Sequence, residues 1–279
     1  MLRVLTNKDA NIKIDTAVFF LYQERSFAMK KLTVLFMLLV LAVCSVFPAC
    51  SETAMERLTD EQLVSYYKNS VFVGDSITAQ LLVYVREQQQ KDPHFFEGVK
   101  FLTAQSYFLY TASRKNLRSG TANLKYRGRE MPLCAILKEM KPPKAFILLG
   151  VNDYIGEQIE KGIGYDERIL DLAAEYSPDT EIIFESLTPV TPAFCRKKDY
   201  RTLWDEYNKA LLDMCETRGA GYVDIASRLK DKDGYLHKDY SSDGKYHLNP
   251  KGLKLWIDAL LDYAQTQYEL GLWAPEDHV

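Results

Sequence analysis

The chain has 279 residues, of which 47% are hydrophobic and 26% charged, with a formal net charge of −3. That mix is an ordinary globular one and excludes a disordered, collagen-like or polytopic membrane chain. There is no long basic run to set 35 basic against 38 acidic residues, so the basic face of a nucleic-acid binder is missing and no nucleic-acid partner is expected. Five cysteines without a CxxC pair argue against a disulfide scaffold and a structural zinc site, and no metal is expected. At about 150 residues per domain, the length alone asks for nearly two domains.

The first fifty residues read as a leader rather than a fold. Lys30 and Lys31 follow Met29, and from Leu32 to Ser51 there is no charged side chain. A positive start, an apolar run and a small-residue exit form the layout of a secretory signal. Met29 reads as the start, and residues 1–28 as an over-extended frame. The exit Phe47-Pro48-Ala49-Cys50-Ser51 resembles a bacterial lipoprotein cleavage site, in which Cys50 is lipidated, although Phe47 stands where Leu or Val is usual. A cleaved signal and an uncleaved membrane-spanning helix are the alternatives, since about twenty apolar residues can span a bilayer. Each variant places the body outside the cytoplasm, either secreted or held to the membrane by a lipid anchor or an N-terminal helix. The leader takes six of the 35 basic and three of the 38 acidic residues, so the body carries 29 and 35, a net charge of −6. Residues 51–67 read as a linker and helix, 68–272 as one domain, and 273–279 as a tail.

Within the body, short apolar runs alternate with longer amphipathic segments. Strands are expected at Ser70–Val73, Val99–Leu102, Ala145–Leu149, Glu181–Glu185 and Gly221–Asp224. Helices are expected from Ile77 to about Gln90, near 132–140, 165–177 and 200–218, and from Pro250 to about Leu270, proline suiting a first turn. Asn123–Met131, centred on Arg127-Gly128, reads as a small inserted hairpin. Strands alternating with helices predict an α/β fold whose parallel sheet is covered on both faces. Strands buried on both sides explain apolar runs without strict alternation. In such sheets, ligands sit outside the carboxyl ends of the strands.

Three motifs fall at such ends. Gly74-Asp75-Ser76 follows the first strand, placing a hydroxyl at a helix start where backbone N–H groups can hold a developing oxyanion. Asp and Ser are also preferred helix caps, which is the plainer explanation of that triplet. Gly150-Val151-Asn152 follows the third strand, and its amide could donate to the same oxyanion; Gly and Asn are equally common in simple turns. Asp243 and His247 precede the last helix; histidine has the intrinsic pKa of a general base near neutrality, and an aspartate nearby can orient it.

Together, Ser76, Asn152 and the Asp243/His247 pair resemble the GDSL, or SGNH, hydrolase family, over roughly residues 68–265. The resemblance implies a three-layer α/β/α sandwich with a five-stranded, flavodoxin-like parallel sheet. It also implies a serine acyl hydrolase without a cofactor. Ser76 would be the nucleophile, His247 the general base and Asp243 its orienting partner. The Ser76 N–H and the Asn152 amide would line the oxyanion hole. The family's second block normally supplies a glycine N–H; here Thr103-Ala104-Gln105-Ser106-Tyr107 has none, and Ser106 is the substitute. Asp243 precedes His247 by four positions where three are usual, with Gly244 able to absorb the extra residue and Asp239 and Asp233 as fallback carboxylates. Asp75, Tyr107, Tyr154, Thr188 and Tyr246 are candidate substrate contacts, and Tyr110 joins an aromatic group that could serve as a sugar platform.

The resulting expectation is an extracytoplasmic serine esterase acting on acyl, above all O-acetyl, esters of a carbohydrate or cell-wall polymer, or on a small ester. A lipase or lysophospholipase is the enzymatic alternative. A catalytically silent surface binding lipoprotein of the same fold is the alternative from another class.

Overall fold

The computed structural model describes residues 57–153 and 158–275. The leader, Cys50 and Tyr154 therefore lie outside the described residues.

Strand β1 (Val71–Gly74) is buried along its whole length and pairs in parallel with β2 (Lys100–Thr103) on one side and β5 (Lys144–Leu148) on the other. Beyond them lie β6 (Glu181–Glu185) and β7 (Gly221–Val223), giving a five-stranded parallel sheet in the order β2-β1-β5-β6-β7. The two remaining strands, β3 (Leu124–Tyr126) and β4 (Arg129–Met131), form the expected antiparallel hairpin. All five sheet strands thus fall on the expected segments, because strands covered on both faces must be apolar throughout.

Register turns this composition into packing. Phe72 pairs directly with Phe101 and with Phe146, so the three rings stack across the sheet with centroids 5.4 and 4.8 Å apart. Such pairs add roughly 0.5–1.5 kcal/mol each beyond their area burial. Tyr67 packs on Phe146 and Phe96, and its hydroxyl donates to the Leu260 carbonyl at 2.5 Å.

Helices cover both faces. On one lie α1 (Asp60–Ser65), α2 (Ser76–Gln89), α7 (Ala226–Leu229) and α8 (Pro250–Glu269). On the other are α3 (Leu109–Ala112), α4 (Leu133–Met140), α5 (Ile159–Tyr176) and α6 (Tyr200–Arg218). This is the three-layer α/β/α sandwich, with the flavodoxin-like strand order.

Three boundaries differ from the sequence expectation. Helix α1, expected as a helix ahead of the domain, packs into it: Leu63, Tyr66 and Tyr67 are buried, and the Leu58 N–H donates to Gln265 on α8. Trp273, expected in the tail, packs edge-on against Tyr66 at 5.1 Å. Helix α5 begins at Ile159 rather than 165. Gly162 and Gly164 weaken its first turns in sequence, and burial of Gly162 and Asp166 against neighbouring elements overrides that propensity. Cys134, Cys195 and Cys215 are all free thiols.

Candidate active site

The sheet order reverses between β1 and β5, so the residues that follow these two strands face each other across the crevice. Ser76 leaves β1 through Gly74, where any larger residue fails. A Cβ there would sit 1.9 Å from Thr78 Oγ1 and 2.8 Å from the Leu148 carbonyl oxygen. Asp75 caps α2, its Oδ1 accepting from the Ile77 N–H at 2.9 Å. Ser76 thereby becomes the first residue of a fourteen-residue helix, at its positive end.

Ser76 Oγ lies 3.0 Å from His247 Nε2, and His247 Nδ1 lies 2.7 Å from Asp243 Oδ2. An ionised carboxylate only accepts, so Nδ1 carries the proton and Nε2 is left to accept from the serine hydroxyl. The other carboxylate oxygen, Asp243 Oδ1, accepts from the backbone N–H groups of Lys245, Tyr246 and His247 at 2.7, 3.2 and 3.3 Å. Partial burial pushes the Asp243 carboxyl up, but the hydrogen bonds from His247 and the backbone outweigh it and hold the pKa below the ordinary value. The spacing of four is absorbed at Gly244, whose φ of +71° suits glycine. Neither fallback carboxylate is used here: Asp233 pairs with Lys232, and Asp239 sits in the 3₁₀ turn Lys238–Tyr240.

Two neighbours hold the histidine loop in place. From α2, one turn beyond Ser76, Gln80 clamps the Leu248 peptide: its Nε2 donates to the Leu248 carbonyl and its Oε1 accepts from the Leu248 N–H, both at 3.0 Å. From beyond β6, the Thr191 hydroxyl donates to the Gly244 carbonyl at 2.6 Å. Neither residue stood out in the sequence. A helix spacing of four between Ser76 and Gln80 was the one available signal.

Asn152 lies in the 3₁₀ turn Val151–Asp153 after β5. Its Nδ2 donates to Asp75 Oδ2 at 2.6 Å. An amide nitrogen has two protons, so the second remains for another acceptor. Ser106 occupies the turn after β2, on the same edge, with φ +53°. That left-handed conformation is one glycine adopts freely and serine seldom does.

The candidate substrate contacts divide. Asp75 is fully buried with both oxygens engaged; it joins the serine and asparagine turns and does not reach substrate. Burial raises its pKa to about 6, opposed by the Ile77 N–H. Tyr107 is 1% exposed and Thr188 0%, so neither offers a surface to a ligand; alternation along the turn points the Tyr107 ring into the core. Tyr246 packs edge-on against Phe194 and lies 4.6 Å from the His247 ring, half-buried as a support of that ring. Tyr110 does line open space, a cleft of about 620 Å³ that is also lined by Asn152, Phe108 and Tyr165.

A serine hydroxyl, an imidazole and a carboxylate in this chain of contacts can perform general-base-assisted nucleophilic attack, with the amide of Asn152 placed beside it to meet negative charge. Similar architectures occur in solved structures. An acylhydrolase candidate of Bacteroides fragilis is 16% identical with a TM-score of 0.53, covering 72% of this chain and 88% of its own. A GDSL-like lipase of Bacteroides thetaiotaomicron is 15% identical with a TM-score of 0.52, covering 77% and 93%. An acetyl xylan esterase is 11% identical with a TM-score of 0.50, covering 69% and 98%. At these identities the likeness is one of fold. No curated protein sequence matches the chain. The model of the GDSL-like lipase/acylhydrolase family matches residues 72–255, two thirds of the sequence and all of the blocks that meet at Ser76, and the chain belongs to that family of serine ester hydrolases.

Proposed function

We propose that the chain is an extracytoplasmic serine esterase that removes short acyl groups, O-acetyl foremost, from a carbohydrate or cell-wall polymer. The observation that carries the reading is the continuous contact from Ser76 Oγ through His247 to Asp243, at 3.0 and 2.7 Å.

In the proposed reaction, Ser76 Oγ attacks the ester carbonyl as its proton passes to His247 Nε2. Asp243 holds the imidazole and stabilises the imidazolium. The tetrahedral oxyanion receives the Ser76 N–H, the free Asn152 amide proton and the Ser106 N–H. His247 returns the proton to the departing alcohol, then activates water to hydrolyse the acyl-enzyme.

The broad cleft with tyrosines on its wall favours a sugar over an acyl chain, which would need an enclosed apolar channel. The acetyl xylan esterase among the neighbours accords with that choice. The charged start and apolar run from Met29 to Ser51 support export, with Cys50 as the lipid tether.

Hydrolysis of p-nitrophenyl acetate by the wild type and not by Ser76→Ala is the expected result, and equal rates would identify a silent binder. Acetate release from acetylated xylan and acetylated peptidoglycan tests the substrate class. Faster turnover of long-chain lipid esters than of every acetylated glycan would make it a lipase instead.

A further inference from the structure

We propose that the cleft lined by Asn152, Arg118 and Lys161 is an anion subsite, built to take a carboxylate or phosphate group carried by the acylated glycan. This rests on the esterase reading above and names the substrate class further.

The cleft wall brings together two cations from distant parts of the chain, Arg118 from the loop before the hairpin and Lys161 from the first turns of α5. Neither has a carboxylate within ion-pair distance among the described residues. The contrast with the surrounding surface is direct: Lys115 pairs with Glu175, Arg129 with Glu139, and Arg218 with Glu167 and Asp171. Two cations lining one cleft with no ion-pair partner among the described residues repel each other, and an anion placed between them relieves that repulsion.

The acidic residue in the wall does not fill the role. Both Asp153 oxygens are taken, accepting from the Leu109 and Tyr110 N–H groups at 2.7 and 3.0 Å. Arg118 is held by an aromatic face instead of a carboxylate, its guanidinium lying 5.2 Å from the Tyr110 ring centre. A cation–π contact, unlike an ion pair, leaves guanidinium N–H groups able to donate to an anion. Arg114 steadies the same ring, donating to the Tyr110 hydroxyl at 2.7 Å. Tyr110 and Tyr165, with centroids 5.3 Å apart, supply an apolar wall against which a pyranose can lie. A ring platform beside free cations suits an acidic sugar better than a neutral one. Asn152 is one of the residues lining the cleft, so a sugar seated there lies against one of the proposed oxyanion donors.

The test compares three esters on the purified full chain: acetylated xylo-oligosaccharides, the same oligosaccharides bearing a glucuronic acid branch, and an acetyl ester of glycerol phosphate. Acetate release is followed for the wild type, Arg118→Gln, Lys161→Gln and the double variant, with p-nitrophenyl acetate as the uncharged reference. We expect at least one anionic substrate to exceed the neutral oligosaccharide about tenfold in kcat/KM, and preference between the two anions identifies the group. Each single variant should raise KM for that substrate roughly three- to tenfold, as partly exposed charge contacts do, with p-nitrophenyl acetate unchanged. About 0.5 M salt should compress the preference. If p-nitrophenyl acetate is hydrolysed while neutral and anionic substrates run alike, or the variants retain the preference, the subsite is overturned. If it is not hydrolysed, the esterase reading fails separately, and calorimetry of the glucuronic oligosaccharide decides the subsite. Binding weakened by both substitutions supports it, and no binding or unaltered binding refutes it.

Discussion

Replacing Asp243 by asparagine probes the relay at its most informative atom. Asp243 Oδ1 is fixed by three backbone N–H donors, at 2.7, 3.2 and 3.3 Å, while Oδ2 meets His247 Nδ1 at 2.7 Å. An asparagine must keep its one carbonyl oxygen toward those donors, because an NH₂ group there would face three N–H groups with nothing to accept them. Its NH₂ then points at Nδ1 and forces that nitrogen to accept. The imidazole is driven to the tautomer with its proton on Nε2, which cannot take the proton of Ser76. Asp243→Asn also removes the charge that stabilises the imidazolium. Loss of a charged hydrogen bond costs about 1.5–3 kcal/mol, and the wrong tautomer adds to it. The expected fall in kcat is therefore roughly 10²- to 10⁴-fold, or about 3–5 kcal/mol of barrier, with KM little altered. Steady-state hydrolysis of p-nitrophenyl acetate reads it, alongside a thermal melt to confirm folding. A folded variant that keeps kcat within about threefold of the wild type would show that Asp243 does not serve His247.

Two further substitutions separate positioning from stability. Gln80→Ala removes both hydrogen bonds to the Leu248 peptide and should lower kcat about tenfold as the histidine loop drifts from Ser76. Gln80→Glu, which keeps the acceptor and loses the donor, should fall in between, and unchanged kcat in both variants would remove Gln80 from the site. Glu185 is fully buried at the end of β6, its Oε1 accepting from Trp256 Nε1 at 2.8 Å, and burial lifts its pKa to about 8, opposed by that hydrogen bond. The folded state therefore holds the proton more tightly than the unfolded chain, where the ordinary value is 4.5. This contribution to stability is full below pH 4.5 and is lost as the pH rises toward 8. Between pH 5 and 7.5 the wild type should lose on the order of 3 kcal/mol relative to Glu185→Gln in denaturant melts. A constant difference between the two proteins across that range would refute the assignment.

Much of the fold was legible because its central strands are covered on both faces. Val71–Val73, Ala145–Leu148 and Ile182–Phe184 are buried on both sides and read as unbroken apolar runs. Two of the site blocks were legible for a related reason: Ser76 and Asn152 each follow a strand, where the chain must turn and a glycine is common, whereas Asp243 and His247 stand ahead of α8. The orientation of single side chains was not legible. Tyr107 and Tyr110 are tyrosines three residues apart, and only packing sends the first into the core and the second into the cleft. Asp75 is adjacent to Ser76 and a candidate substrate contact by sequence, whereas its second oxygen is committed to Asn152, 77 residues away. A separation of 43 residues likewise hides that Arg118 and Lys161 line one cleft. Nothing in either segment marks it; it follows from where the hairpin loop and α5 meet.

The central claim is that Ser76 is the nucleophile, and covalent labelling tests it most directly. A fluorophosphonate probe reacts only with a serine whose proton can be removed by a neighbouring base. Tandem mass spectrometry of the labelled wild type should place the adduct on Ser76. Labelling should vanish in Ser76→Ala and fall sharply in His247→Ala. An adduct on another serine, or undiminished labelling of Ser76→Ala, would contradict the account.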